Sequence, residues 1–158
     1  MFERILVAVD ESDEAGFAVE AASQLADALA AEVGLVHVLD TRQGIRGELG
    51  LPFDEFRESA RAEAARFLER VGARIALPWR PQYFVREGEP AREIQQAAEE
   101  FAADLVVIGA TGRGRLAEFL LGSTAEDVIR RAGCPVMAVR HRPPPVRRPA
   151  RAEQESAR

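Results

Sequence analysis

A glycine-rich segment in the last third of the chain has the residue types that bind phosphate. It runs from Gly109 to Gly112 and, after nine further residues, reaches Gly122-Ser123-Thr124. Glycine lets backbone N–H groups approach a phosphate without a Cβ clash. A Ser-Thr pair that opens a helix adds hydroxyls beside unpaired N–H groups, which favour an anion. Arg113 or Arg115 could add charge-assisted contacts. The spacing matches neither Walker A nor the dinucleotide fingerprint, so these glycines alone leave the type of phosphate site open.

Ser123 also has a purely structural interpretation. Ser123-Thr124-Ala125-Glu126 matches a capping box, in which the serine hydroxyl binds a backbone N–H of its own helix. The two interpretations are compatible, because a helix start has several unpaired N–H groups.

The composition excludes several kinds of chemistry. Of the 158 residues, 47% are hydrophobic and 30% are charged, which is ordinary for one α/β domain. All 21 basic residues are arginine, so a P-loop lysine, a kinase lysine and a Schiff base are excluded. Cys134 is the single cysteine, which excludes an internal disulfide and a cysteine metal cage. His37 and His141 are the only histidines, which argues against a histidine metal cluster and leaves any metal ligands unknown.

Charge and hydropathy predict the partners and the cellular location of the protein. The net charge is −5, and 24 of the 26 acidic residues lie before Arg140. An acidic body argues against duplex nucleic acid as the main partner, because phosphate backbones bind concentrated basic surfaces. No apolar run is long enough to span a membrane, and the first residues lack the features of a signal peptide. We therefore expect a cytoplasmic protein that does not bind membranes.

The composition changes after Arg140. Residues 141–158 are rich in proline and arginine and have almost nothing to bury. We predict a folded domain over residues 1–140 and a disordered, basic, proline-rich tail over 141–158. A docking or nucleic-acid-binding arm is the alternative for the tail.

Five apolar runs alternate with stretches of helical periodicity. The predicted strands cover residues 5–9, 35–39, 82–86, 105–108 and 135–139, with 82–86 near an edge of the sheet. Helices are predicted to begin near Ser12, Pro52, Pro90 and Ser123, with Val128 and Ile129 on the inner face of the last. This βα alternation predicts an α/β fold with a parallel, doubly wound, Rossmann-like sheet of five strands and four helices. Ligands of such sheets bind beyond the carboxyl ends of the strands, here Val9-Asp10, Val38-Leu39 and Ile108-Gly109.

Three further residues have structural interpretations. His37 lies within a predicted strand and is interpreted as a packed or hydrogen-bonded histidine and not a catalytic one. Cys134 is interpreted as a small buried residue. Trp79 is interpreted as a loop residue packed on the edge of the domain.

Four segments together resemble the universal stress protein family. They are the opening Ile5-Leu6-Val7-Ala8-Val9-Asp10-Glu11-Ser12, the strand end Val36-His37-Val38, the Gly-x2-Gly-x9-Gly-Ser loop, and Cys134-Pro135-Val136-Met137-Ala138-Val139. The resemblance covers residues 1–140, and the loop is typical of the branch of the family that binds ATP. It implies a strand order of 3-2-1-4-5, with the switch point between the first and fourth strands.

The resemblance also implies roles for individual residues. Asp10 and the backbone of Val38 should face the adenine and the nucleoside, with Ala8 and Val9 lining the wall, and Ile108 and Gly109 should pass beside the ribose and α-phosphate. The phosphate chain should be held by Gly112, Gly122, Ser123 and Thr124. Arg113 stands at a position that is often basic in the family. Glu11 stands where the family commonly has glycine, and its carboxylate would repel phosphates unless it points away or helps to hold a divalent ion.

The function implied is an ATP-binding universal stress protein, with or without Mg²⁺, that acts as a nucleotide-dependent regulator of the stress response. It would form a homodimer through the fifth strand and act on a protein partner that the sequence does not name. The alternatives are a slow ATP hydrolase or phosphoryl-transfer enzyme, and a nucleotide-free interaction module. Against an enzyme, we find no His or Lys base beside the loop, and only Asp10 and Glu11 as carboxylates within reach. We therefore predict no catalytic residue.

Overall fold

The computed structural model describes residues 2–41, 53–75, 78–111 and 121–140, and the predicted tail 141–158 lies outside them. In these ranges, strands and helices alternate along the whole chain. The elements are β1 (Arg4–Ala8), α1 (Asp13–Leu29), β2 (Glu32–Asp40), α2 (Phe53–Gly72), β3 (Gln82–Gly88), α3 (Pro90–Phe101), β4 (Leu105–Gly109), α4 (Ser123–Arg131) and β5 (Val136–Val139).

The strands form one parallel sheet in the order β3-β2-β1-β4-β5. This confirms the predicted fold class and strand order, and it places the predicted third strand at an edge. β1 lies in the middle, with Ala8 opposite Val36 on one side and Ile108 on the other. The chain therefore leaves β1 toward one half of the sheet and returns later to build the other half. That reversal creates the crevice in which such sheets bind ligands.

The continuous apolar runs are explained by burial on both faces of the sheet. Ile5 and Val7 pack with α1 and α2, whereas Leu6 packs with α3 and α4 on the opposite face. Every residue from Ile5 to Val9 is buried. A strand covered by helices on both sides has no polar face, which is why β1 lacks the alternation of an exposed strand.

Two details differ from the sequence prediction. β2 begins at Glu32, before the glycine that was expected to precede it, because Gly34 lies inside the strand where Leu6 and Phe101 leave no room. A Cβ on Gly34 would lie 3.0 Å from Leu6 Cδ1 and 3.2 Å from the Phe101 ring. The prediction that Ile129 faces inward is wrong: Val128 is buried, whereas Ile129 is 45% exposed. Consecutive helical residues point about 100° apart, so a short helix buries only one of the two.

The starts of α1 and α3 follow the predicted signals, whereas Pro52, predicted to open α2, lies outside the described residues. Ser12 is the N-cap of α1, and its hydroxyl accepts a hydrogen bond from the Ala15 N–H. Pro90 stands in the first turn of α3 behind the N-cap Glu89. None of the helices in the described ranges has the length and apolar content to cross a membrane.

Candidate functional site

The predicted ligand-binding residues of three strands meet at the carboxyl edge of the sheet. β1, β2 and β4 lie side by side there, and the Val9 N–H donates to the Val36 carbonyl at 2.9 Å. This bond extends the β1–β2 pairing one residue beyond β1. As a result Val9 and Asp10 emerge between the end of β2, which carries Val38, and the end of β4, which carries Ile108.

Asp10 is held in a tight turn at this edge. Its Oδ1 accepts hydrogen bonds from the Ser12 backbone N–H, at 3.0 Å, and from the Ser12 hydroxyl. The Asp10 side chain is half-buried. Among the described residues, Asp10 Oδ2 has no hydrogen-bond partner. One oxygen of the carboxylate is thus left without a partner in the described part of the chain.

His37 makes a hydrogen bond to the residue that precedes this turn. Its Nδ1 lies 2.8 Å from the Val9 carbonyl oxygen, and its ring packs edge-on against Phe67 at 5.1 Å. A carbonyl oxygen can only accept, so Nδ1 carries the proton. His37 is 9% exposed. The interpretation as a packed, hydrogen-bonded histidine is confirmed, but its partner could not be read from the sequence because Val9 is 28 residues away.

Gly109 packs against the first turn of α1. A Cβ on Gly109 would point at Glu14 and Ala15 of that turn. Only the backbone of Gly109 is therefore available to a ligand. Close packing is by itself sufficient reason for glycine at this position.

The start of α4 is fixed by backbone hydrogen bonds. The Gly122 N–H donates to the Ala110 carbonyl at 2.7 Å, which closes the loop between β4 and α4. Gly122 is the N-cap, and among the described residues no side-chain hydrogen bond caps the helix. Its carbonyl accepts from the Glu126 N–H at 2.9 Å.

The capping-box interpretation of Ser123 is therefore wrong. The cap lies one residue earlier, so Ser123 is already the first helical residue, and its side chain is exposed. Thr124 follows it and is half-buried. Gly112, Arg113 and Arg115 lie outside the described residues.

The charges at this edge do not form a metal centre in the described part of the chain. No group of three His, Cys, Asp or Glu side chains there could hold a metal ion. Glu11 is exposed at the start of the turn. What the arrangement offers is one carboxylate oxygen, apolar walls from Ala8, Val9 and Ile108, and the amino end of α4.

The chain is similar to known proteins in both sequence and fold. The universal stress protein family matches residues 1–140. The chain belongs to this family. Among its relatives, universal stress protein YxiE of Bacillus subtilis is 34% identical over 148 residues, which cover 89% of this chain and all of the relative.

Solved structures of universal stress proteins have the same fold. The structure of MJ0577, from Methanocaldococcus jannaschii, superposes with a TM-score of 0.79 at 28% identity, covering 90% of this chain and 99% of that one. A universal stress protein in complex with cAMP gives 0.55 at 25% identity, covering 87% and 97%. The Archaeoglobus fulgidus protein in complex with dAMP gives 0.51 at 26% identity, again covering 87% and 97%.

Proposed function

We propose that this universal stress protein binds ATP at the carboxyl edge of the sheet and acts as a nucleotide-dependent regulator of the stress response. The observation that carries the proposal is the pairing of two features beside the switch point. One is the Asp10 carboxylate with an unused oxygen, and the other is an α4 amino end without a side-chain cap. The adenine nucleotides cAMP and dAMP bound by two structural neighbours support it.

Each element has a part in this proposed site. Ala8 and Val9 form the wall, Asp10 and the Val38 backbone face the adenosine, and Ile108 and Gly109 flank the ribose and α-phosphate. Because the missing side chain of Gly109 faces α1, this glycine would act through its backbone alone.

The phosphate chain belongs at the start of α4. Unpaired N–H groups and the helix dipole attract an anion at such an end, and the N-cap Gly122 makes no side-chain hydrogen bond there. Gly112, Gly122, Ser123 and Thr124 would supply N–H groups and hydroxyls, and Arg113 would supply positive charge. The same site could take Mg²⁺ together with ATP.

The proposed assembly is a homodimer formed through β5, with residues 1–140 as the nucleotide-binding domain and 141–158 as a disordered tail. The cytoplasm is the proposed location, and a further protein is the proposed partner of the regulator. We favour binding over turnover, because His37 is committed to Val9, Asp10 Oδ1 to Ser12, and Asp10 Oδ2 in this proposal to the nucleoside.

The test is calorimetric titration of ATP and adenosine, preceded by a search for adenine nucleotide released from the purified, denatured protein. Gly122→Val places a branched side chain beside the phosphate chain. Gly122 has φ −64° and ψ 147°, which valine adopts readily, so the variant should fold. We expect ATP binding to be lost and adenosine binding to persist.

Gly133→Val is the matched control, because a Cβ at Gly133 meets nothing within 4 Å and the residue lies between α4 and β5. Arg113→Ala should weaken ATP more than adenosine, since it removes charge and not shape. If Gly122→Val is folded by circular dichroism and binds ATP like the parent, the phosphate assignment is wrong.

A further inference from the structure

Ser12 makes two different hydrogen bonds with one hydroxyl. Its Oγ accepts from the Ala15 N–H at 3.3 Å, which caps α1, and its O–H donates to Asp10 Oδ1. The Ser12 backbone N–H donates to the same oxygen at 3.0 Å. The cap therefore fixes the direction of the hydroxyl, and the hydroxyl fixes the Asp10 carboxylate.

The backbone before Asp10 is fixed independently. The Val9 N–H donates to the Val36 carbonyl at 2.9 Å, and the Val9 carbonyl is held by His37 Nδ1 at 2.8 Å. With the peptide held on both sides, the remaining freedom of Asp10 is rotation of its side chain. The two hydrogen bonds from Ser12 remove that freedom and leave Oδ2 without a hydrogen-bond partner among the described residues.

We propose that Ser12 is the positioning residue that presents Asp10 Oδ2 to the nucleoside as a fixed hydrogen-bond acceptor, and that it thereby sets nucleoside selectivity. This inference rests on the proposed nucleotide site. A fixed acceptor favours a nucleoside with a donor at that point and disfavours one that leaves it unpaired. The donor is either the exocyclic amine of the base or the ribose 2′-hydroxyl.

The test compares ATP with two triphosphates that each lack one donor. ITP has a carbonyl in place of the exocyclic amine, and 2′-deoxyATP lacks the ribose hydroxyl next to the base. We expect the parent to bind ATP about 10-fold more tightly than one of them, as expected for an acceptor left unpaired. The weaker ligand identifies the donor that Asp10 receives.

Three variants separate positioning from capping. Ser12→Thr retains both hydrogen bonds of the hydroxyl, Ser12→Ala loses both, and Ser12→Asp keeps an N-cap acceptor but cannot donate to Asp10. All three ligands are triphosphates, so any repulsion from the new carboxylate weakens them alike and cancels in the ratio. We expect the 10-fold preference to fall toward 1 in Ser12→Ala and Ser12→Asp and to persist in Ser12→Thr.

The outcomes distinguish this inference from the function on which it rests. If the parent binds no nucleotide, both are wrong. If the parent binds all three triphosphates equally, or if Ser12→Asp keeps the preference, the nucleotide site stands and Ser12 only caps α1. Ser12→Asp carries the test alone if Ser12→Ala does not fold, because aspartate is as good an N-cap as serine.

Discussion

Gly109 lies directly against Glu14, so that the end of β4 touches the first turn of α1 without an intervening side chain. A Cβ built on Gly109 would stand 3.1 Å from both the carbonyl carbon and the Cβ of Glu14. It would also stand 3.3 Å from the backbone nitrogen of Ala15. Two of these neighbours are backbone atoms of a helix, which cannot move aside singly.

We therefore expect Gly109→Ala to lower the free energy of unfolding by about 1–3 kcal/mol, which is typical of overpacking. Urea denaturation measures this change. Gly133→Ala is the control and should be nearly neutral, because no atom lies within 4 Å of its Cβ position. A Gly109→Ala protein as stable as the parent would show that α1 yields at this contact. A larger residue at position 109 disturbs the fold and is unsuitable for testing the ligand.

Ala30 and Ala102 end α1 and α3 in the left-handed conformation, with φ of 54° and 52°. This conformation costs an L-residue roughly 1–2 kcal/mol. Glycine removes this cost but also makes the unfolded chain more flexible, which lowers the free energy of unfolding by about 0.4–1 kcal/mol. We expect Ala30→Gly and Ala102→Gly each to raise the free energy of unfolding by about 0.5 kcal/mol. Ala65→Gly, at an exposed position inside α2, should lower it by about 1 kcal/mol. If all three variants lose the same free energy of unfolding, the left-handed conformation of Ala30 and Ala102 carries no cost.

Burial raises the pKa of the Cys134 thiol, and the negative charge of Asp104 raises it further, against the opposing effect of a hydrogen bond from the Val106 backbone. The thiolate is the reactive form, so alkylation by iodoacetamide should be slower than that of a small free thiol at pH 8. Its rate should still be rising at a pH where the free thiol has levelled off. Cys134→Ala provides the blank, and a rate that levels off together with the free thiol would refute the shift.

The raised pKa also has a consequence for stability. The unfolded thiol loses its proton at a lower pH than the folded one, so this contribution is complete below the unfolded pKa and declines as the pH rises toward the folded pKa. The parent should therefore lose more stability on alkaline titration than Cys134→Ala does. Parallel urea curves at neutral and alkaline pH measure the difference.

The strands were predictable because burial on both faces leaves an unmistakable local pattern, whereas their order was implied by the resemblance to the universal stress protein family. Residues 105–108 read as a strand from their apolar run alone, and β4 begins and is buried as expected. The glycines were harder to interpret. Gly34 and Gly109 are glycine because Phe101 and Glu14 approach them in space, and these neighbours are 67 and 95 residues away in sequence.

At the site, the sequence predicted which strand ends meet but not how they are held. The bond between His37 and Val9 and the placement of Asp10 by Ser12 depend on where α1 and β2 lie. The start of α4 near Ser123 was predicted correctly, but the capping-box interpretation placed its N-cap one residue too late, because the S-x-x-E pattern fits position 123 although Gly122 has the extended conformation of an N-cap. A local sequence pattern does not distinguish two neighbouring N-cap positions. The hydrogen bond from the Gly122 N–H to the Ala110 carbonyl, which lies outside the helix, is not visible in that pattern.

β5 lies at the edge of the sheet and pairs only with β4 among the described strands. An edge strand without a gatekeeping charge invites pairing with a second copy of the chain. We expect Ala138→Asp to shift sedimentation toward the monomer, because this side chain is exposed and its replacement leaves the core intact. Val136→Arg should do the same, although Val136 also packs against the core of its own chain.

Gln82→Arg places a charge on the opposite edge strand, β3, and should leave the dimer unchanged. Dissociation caused by this control variant would place the interface at β3. If both β5 variants remain dimers, the interface does not lie on β5.

ATP turnover should be very slow, because the proposed site leaves neither His37 nor Asp10 to activate water. His37 donates to Val9 and packs against Phe67, Asp10 Oδ1 accepts from Ser12, and Asp10 Oδ2 is assigned to the nucleoside in the proposed site. Phosphoryl transfer needs a positioned nucleophile together with charge neutralisation at the γ-phosphate. We expect steady-state phosphate release far below the roughly 10 per second of a typical enzyme. Asp10→Asn and Glu11→Gln should leave the residual rate unchanged when ATP is saturating. Release near that typical rate, abolished by one of these substitutions while ATP still binds, would make the protein an ATP hydrolase and identify the carboxylate that carries the reaction.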